Sequence, residues 1–275
     1  MKNIKRKSCL YVTCFISLIY IAVSILFGFS ISTAKGRYSS DGIMPYAAVS
    51  SEVVNFTDRE ETYEETVNGV PIYYQSSQLP NSCGPTAGAI VVGFYDKYYE
   101  NLIPDFNPCL SSGKYKRADK VYIPQLMSDL YTLMRTNVDD VGVSETDCLN
   151  GLSTYVRNHD RTIAYNQISV SRKVNEAMLI TAIHNNCPSL LFCSKMDVYN
   201  VSSGSGSDTI VKSAYTGAHV AVAYGLYTVK YYNGSTNFRT DKYIMIATGF
   251  SDTPSGYLRI SATDWCDDAF AVSIA

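Results

Sequence analysis

An α+β chain, helices first and antiparallel strands second, is what the sequence predicts, and three features carry that reading. Apolar residues recur at helical spacing after Cys83, with Ala87, Ile90, Val91, Phe94 and Tyr98 on one face. Beyond Pro188 the pattern changes to β-branched and aromatic runs broken by Gly, Asn and Ser clusters. Between two of those runs stands Asn233-Gly234, which suits both positive-φ positions of a tight hairpin turn. With 46% hydrophobic and 17% charged residues in 275, the chain has apolar material for one large domain or two small ones.

Taken in order, Lys2, Lys5, Arg6 and Lys7 precede an apolar run from Cys9 to Phe29, and Ser32-Thr-Ala34 supplies small residues for cleavage. Residues 1–34 therefore read as an export signal cut after Ala34. The alternative is an uncleaved membrane anchor, since about 20 apolar residues can cross a bilayer. Both readings place the remainder outside the cytoplasm. Residues 35–66 are polar, rich in Ser, Thr and Glu, and read as a linker or short pro-segment outside the core. Val67 to Tyr74 alternates around Pro71, as an edge strand would. Helices follow from Cys83, with Pro85 inside the first turn, then over Pro124 to Arg135, Glu145 to Asn158 and Lys173 to Asn186. The third is entered through Ser144-Glu-Thr-Asp147, a capping pattern. Strands are expected at Leu190 to Cys193, His219 to Tyr224, Leu226 to Tyr232, Lys242 to Thr248, Tyr257 to Ser261 and Ala269 to Ile274.

Loss of the signal removes four of 23 basic residues, leaving 19 against 25 acidic ones, a charge of about −6. Without a basic stripe, nucleic acid is excluded as a partner. Six cysteines remain: Cys83, Cys109, Cys148, Cys187, Cys193 and Cys266. Cys187 and Cys193 flank an apolar strand that holds them roughly 20 Å apart, beyond disulfide reach, and no disulfide framework is read. No CxxC or HExxH pattern occurs, so neither a metal nor another cofactor is expected. The 23 tyrosines read as half-buried structural residues.

Cys83 opens a helix, where free N–H groups and the macrodipole favour the thiolate that a nucleophile must become. Gln75 and Gln78 lie on the approach to it; a glutamine side-chain N–H there, with the Cys83 N–H, would hold an oxyanion. His219 follows Thr216-Gly-Ala218 and opens an apolar strand, a position from which an imidazole can face a cleft. His159 and His184 belong to helical stretches and are read as ordinary surface or core residues.

The stretch Val70-Pro-Ile-Tyr-Tyr-Gln-Ser-Ser-Gln-Leu-Pro-Asn-Ser-Cys83-Gly-Pro-Thr-Ala87 resembles the nucleophile region of bacterial peptidases related to the bacteriocin-leader (double-glycine) processing family, papain-like cysteine peptidases. Gly217-Ala-His219-Val-Ala-Val-Ala-Tyr-Gly225 is similar to that family's histidine strand, and Ala182-Ile-His-Asn-Asn-Cys-Pro188 to the helix-to-strand step before it. The resemblance covers residues 67–275. It implies a papain-like domain there: a helical lobe opening on the Cys83 helix, packed on an antiparallel sheet lobe that carries His219. It further implies Cys83 as nucleophile, His219 as base and Gln75 as oxyanion donor, with Gln78 the substitute. Through Tyr243-Ile-Met-Ile-Ala-Thr-Gly-Phe250 and Gly256-Tyr-Leu-Arg-Ile260 it puts Thr248 where the family has an Asn or Asp orienting the histidine, with Asp252 as the alternative.

The implied function is a secreted, monomeric cysteine peptidase that cuts a peptide or protein substrate through a thioester. Three alternatives use the same residues: a cell-wall amidase, an acyl transferase, and an extracellular binding module acting weakly or not at all as a catalyst on cell-surface material. Thr248, which carries no charge, favours the last. The leader-processing role of the better-known relatives is not expected, because no transporter segments follow the signal.

Overall fold

The computed structural model describes residues 37–38, 46–64, 67–104, 122–262 and 266–275, so the expected signal at 1–34 and Cys109 lie outside the described residues. The chain runs β1 (Arg37–Tyr38), β2 (Tyr46–Asn55), β3 (Asp58–Glu64), α1 (Cys83–Asp96), α2 (Tyr122–Leu133), β4 (Val143–Ser144) and α3 (Glu145–Asn158). It continues through β5 (Ile163–Gln167), β6 (Ser169–Val170), β7 (Lys173–Val174), α4 (Glu176–His184), β8 (Ser189–Ser203) and β9 (Ser207–Asn233). The last elements are β10 (Thr236–Ala247), β11 (Ser255–Arg259), a 3-10 turn (Ile260–Ala262) and β12 (Cys266–Ile274). This is an α+β fold in which every pairing of the main sheet is antiparallel.

Strand β9 organises the sheet. Along one edge it pairs first with β8 and then with β3; along the other, first with β2 and then with β10. Because β11 joins β10 to β8 through Tyr257 and Tyr199, the strands β8, β9, β10 and β11 close into a ring. A small second core of Val54, Tyr199, Ile210, Tyr227, Val229, Tyr231 and Tyr243 gathers in this region. Beyond β8 the sheet continues through β12 to β5. Consecutive residues of β8 (189–193) and β9 (219–223) are buried, so the centre of the sheet is covered on both faces.

Every residue of α1 is buried, not the single face expected, because the helix lies between α2, α3 and the sheet. Gly84, Ala87, Gly88, Ala89 and Gly93 keep it thin enough for that close approach. Helix α3 occupies the expected span, with the Ser144 hydroxyl accepting the Asp147 N–H at 3.0 Å. Among the described residues, no helix is long and apolar enough to cross a membrane.

Three expectations are corrected. Residues 46–55 and 58–64 are sheet strands and Tyr38 is wholly buried, so 35–66 does not stand outside the core. Backbone pairing to β9 orders this polar stretch, helped by ion pairs such as Arg59 to Asp208. Val67 to Tyr74 forms no strand: Gly69 turns the chain at φ 83° and Pro71 lacks an N–H. The two strands expected on either side of Gly225 are one, the register shifting by a residue against β10 there.

Candidate active site

The approach to Cys83 is held by side chains. Asn81 adopts the left-handed conformation at φ 59°, which asparagine tolerates, and its amide donates to Asn137 Oδ1 at 3.1 Å. Asn137 in turn donates to the Pro80 carbonyl at 3.2 Å. Ser82 occupies the N-cap position, yet its side chain makes no capping bond and Pro85 has no N–H. Cys83 stands as the first helical residue, at the positive end of α1. A Cβ on Gly84 would lie 2.7 Å from Val143 Cγ1, so only glycine lets the helix start approach β4 this closely.

On the sheet side, the register between β8 and β9 slips by one residue at Gly217-Ala218, immediately before His219. The slip re-aims the strand at the residue that matters. His219 Nε2 lies 2.7 Å from the Thr248 carbonyl oxygen. A carbonyl only accepts, so Nε2 carries the proton and Nδ1 presents a lone pair. That Nδ1 is buried and has no hydrogen-bond partner. Burial pushes the imidazole down to about 4, the Thr248 bond acting in the opposite sense. The ring stacks on Phe250 at 4.4 Å, and Phe250 stacks on Tyr215 at 5.1 Å.

The loop 248–250 joins the two sides. The Gly249 carbonyl accepts the Gln75 N–H at 2.8 Å. Gly249 has φ 78°, and a Cβ there would lie 3.2 Å from Thr86 Cγ2 and 3.9 Å from Gln75 Cγ, so both space and backbone call for glycine. Thr86 stands one turn after Cys83 on α1. Cys193 is the cross-strand partner of His219, and burial pushes its thiol up, with Cys83 among the groups that add to the effect. Burial likewise raises Cys148, and there Cys83 is the foremost electrostatic contributor. The loop 248–250 thus links His219 and Thr248 to Gln75 and to α1, the helix that Cys83 opens, and Cys148, Cys187, Cys193 and Cys266 are not joined in disulfides.

The orienting group differs from expectation. Thr248 holds the histidine through its main-chain carbonyl, while its hydroxyl donates to the Thr253 carbonyl and accepts the Phe250 N–H at 3.0 Å. Asp252 is exposed and bonds neither ring nitrogen. Gln78 is exposed too, on a turn whose N–H reaches Ser76 Oγ, which leaves Gln75 as the glutamine at the site. Sequence reasoning missed Phe250, Tyr215, Cys193 and Asn137. Phe250, next to a positive-φ glycine in the loop after the histidine's neighbour strand, was the readable one. The site is closed, with Cys83 1% and His219 0% exposed. Among the described residues, no group of three or more His, Cys, Asp or Glu could hold a metal ion.

Beside this site Glu145, 1% exposed, buries both carboxylate oxygens without a partner. Burial first, then Asp268 and Asp267, push it up to about 8 from its ordinary 4.5. The folded protein keeps a proton that the unfolded chain releases. Its contribution to stability is therefore complete below 4.5 and is lost as pH rises toward 8. Glu145→Gln is expected to gain on wild type by on the order of 2 kcal/mol between pH 5 and pH 8 in urea unfolding. A constant difference across that range would show that the carboxyl ionises normally. His219 has the opposite sign: its contribution is complete above 6.5 and is lost as pH falls toward 4.

No family model matches the chain, and neither does any curated protein or solved structure.

Proposed function

We propose that this chain is a cysteine peptidase of papain-like architecture, exported by residues 1–34, that hydrolyses peptide bonds through a Cys83 thioester. The observation that carries the reading is the His219 ring: Nε2–H is fixed on the Thr248 carbonyl, and Nδ1 is a buried acceptor with no hydrogen-bond partner. Orphaned buried polar atoms are rare, and this one belongs to an imidazole that burial keeps neutral and so able to accept a proton. The start of α1, with a cysteine as its first residue, supplies the complementary group.

In the proposed reaction Nδ1 takes the Cys83 proton and the thiolate attacks the peptide carbonyl. The Cys83 N–H and the Gln75 side-chain amide hold the tetrahedral oxyanion. The imidazolium returns its proton to the leaving amine, and a water, deprotonated by Nδ1, then hydrolyses the thioester. Thr248 offers a carbonyl dipole, not a full charge, to the imidazolium, so turnover is slower than with a carboxylate at that position.

Incubation with a mixed peptide library, read by mass spectrometry, tests the proposal. Wild type is expected to release fragments and to carry an acyl adduct on Cys83 after acid quench, and Cys83→Ala to do neither. Cleavage that persists in Cys83→Ala at the wild-type rate would overturn the mechanism.

A further inference from the structure

The N-terminal strand β1 is a two-residue segment, yet it contains one of the most completely buried large side chains in the described structure, Tyr38. Its backbone adds antiparallel to β4, with Tyr38 opposite Val143 and Arg37 opposite Ser144. Val143 is the residue that presses on Gly84, the immediate neighbour of Cys83. The Tyr38 ring packs at 5.1 Å against Phe192, and its hydroxyl donates to Asp267 Oδ2 at 3.3 Å. The Tyr38 backbone thus lies beside the residue that presses on the start of α1, and its side chain sits between an apolar neighbour, Phe192, and an acidic one, Asp267. Arg172 pairs with Asp267 Oδ1.

We propose that the β4 edge and the Phe192–Asp267 pocket form the substrate subsite, that this subsite selects an extended peptide carrying a tyrosine, and that the chain's own Arg37–Tyr38 occupies it in cis. Strand addition supplies sequence-independent backbone bonds, and the pocket supplies selectivity. The phenol is preferred to phenylalanine through the Asp267 bond, which an aromatic without the hydroxyl cannot make. The described residues before α1 accordingly have two parts: strands β2 and β3 belong to the main sheet, and residues 37–38 pair with β4.

The inference rests on the proposed nucleophile but has its own readouts. In the purified protein, the rate at which iodoacetamide modifies Cys83 is expected to rise in the order wild type, Tyr38→Phe, Tyr38→Leu, Tyr38→Ala, by at least tenfold over the series. If the alanine variant does not fold, the Phe and Leu variants still order the effect. In Tyr38→Ala/Cys83→Ala, or in Tyr38→Leu/Cys83→Ala, a fluorescein-labelled acetyl-Gly-Arg-Tyr-Ser-amide is expected to bind more tightly than the same peptide with Phe. The peptide with Ala at that position should show no measurable binding. Equal alkylation rates across folded Tyr38 variants, or equal binding of the Tyr and Ala peptides, would overturn the proposal. Failure of the peptidase reading would show instead as alkylation insensitive to His219→Ala, with the Tyr38 order intact.

Discussion

Replacing His219 by alanine is expected to lower kcat/KM for peptide cleavage by at least about 10³-fold while the protein remains folded. The size follows from the role proposed for Nδ1, the proton acceptor in acylation and the donor to the leaving amine. Without it Cys83 must reach the thiolate unaided, and the amine must leave unprotonated. Folding should tolerate the change, because His219 is neutral when buried and gives up one hydrogen bond, to the Thr248 carbonyl. A near-UV circular dichroism spectrum unchanged from wild type, with cleavage lost, is the expected pair of results. A variant that is folded and retains more than about a tenth of wild-type activity would assign the proton transfer to another group.

The second large effect concerns the polar strand β3. Arg59 Nε donates to Asp208 Oδ2 at 2.7 Å, its Nη2 lies 2.6 Å from the Tyr227 hydroxyl, and it also pairs with Glu61. The Asp208 side chain is fully buried, and its other protein contact to the same oxygen is the Tyr231 hydroxyl at 3.1 Å. Arg59→Ala strands that carboxylate without a counter-charge, and a loss of about 3–5 kcal/mol is expected in urea unfolding. Adding Asp208→Asn to the Arg59→Ala protein should recover part of it, since a neutral amide costs less to bury than an unpaired charge. A loss below about 1 kcal/mol would mean that β3 contributes little to the fold and that the region is closer to a linker after all.

These two sites mark what could be read from residues alone. Helix α3 was legible to its ends because Ser144 announces the cap in the sequence and makes it in the structure. Strands β8, β9, β10 and β12 were legible only where both faces are buried; their outer parts, such as 196–203 and 207–215, lack a clean apolar run. Strands β2 and β3 were missed for a physical reason. Asp58-Arg-Glu-Glu-Thr-Tyr-Glu64 has no apolar face, and what orders it is pairing to β9, Glu60 with Lys230 and Tyr232, and Tyr63 stacked on Tyr227 at 4.7 Å. Hydrophobic periodicity cannot register a strand held in that way.

At the site, Cys83 and His219 stood out because their side chain types are the ones the proposed chemistry needs. The histidine's partner did not, because a main-chain carbonyl has no residue identity to read. The role of Thr248 is one of backbone position, with its hydroxyl committed to its own turn through Thr253 and Phe250. Tyr38 was hidden for the opposite reason: its significance is tertiary, and in sequence it is one of 23 tyrosines in a polar stretch.

The central claim, that Cys83 and His219 act as a coupled pair, is tested most directly by following iodoacetamide modification of Cys83 against pH. Wild type and His219→Ala are compared by peptide mapping. Closure by β1 scales the rate in both proteins without moving its midpoint. The account predicts a wild-type midpoint well below the value of about 8.5 for an ordinary cysteine, moving up to that value when His219 is removed. Superimposable profiles with a midpoint near that of an ordinary thiol would contradict it.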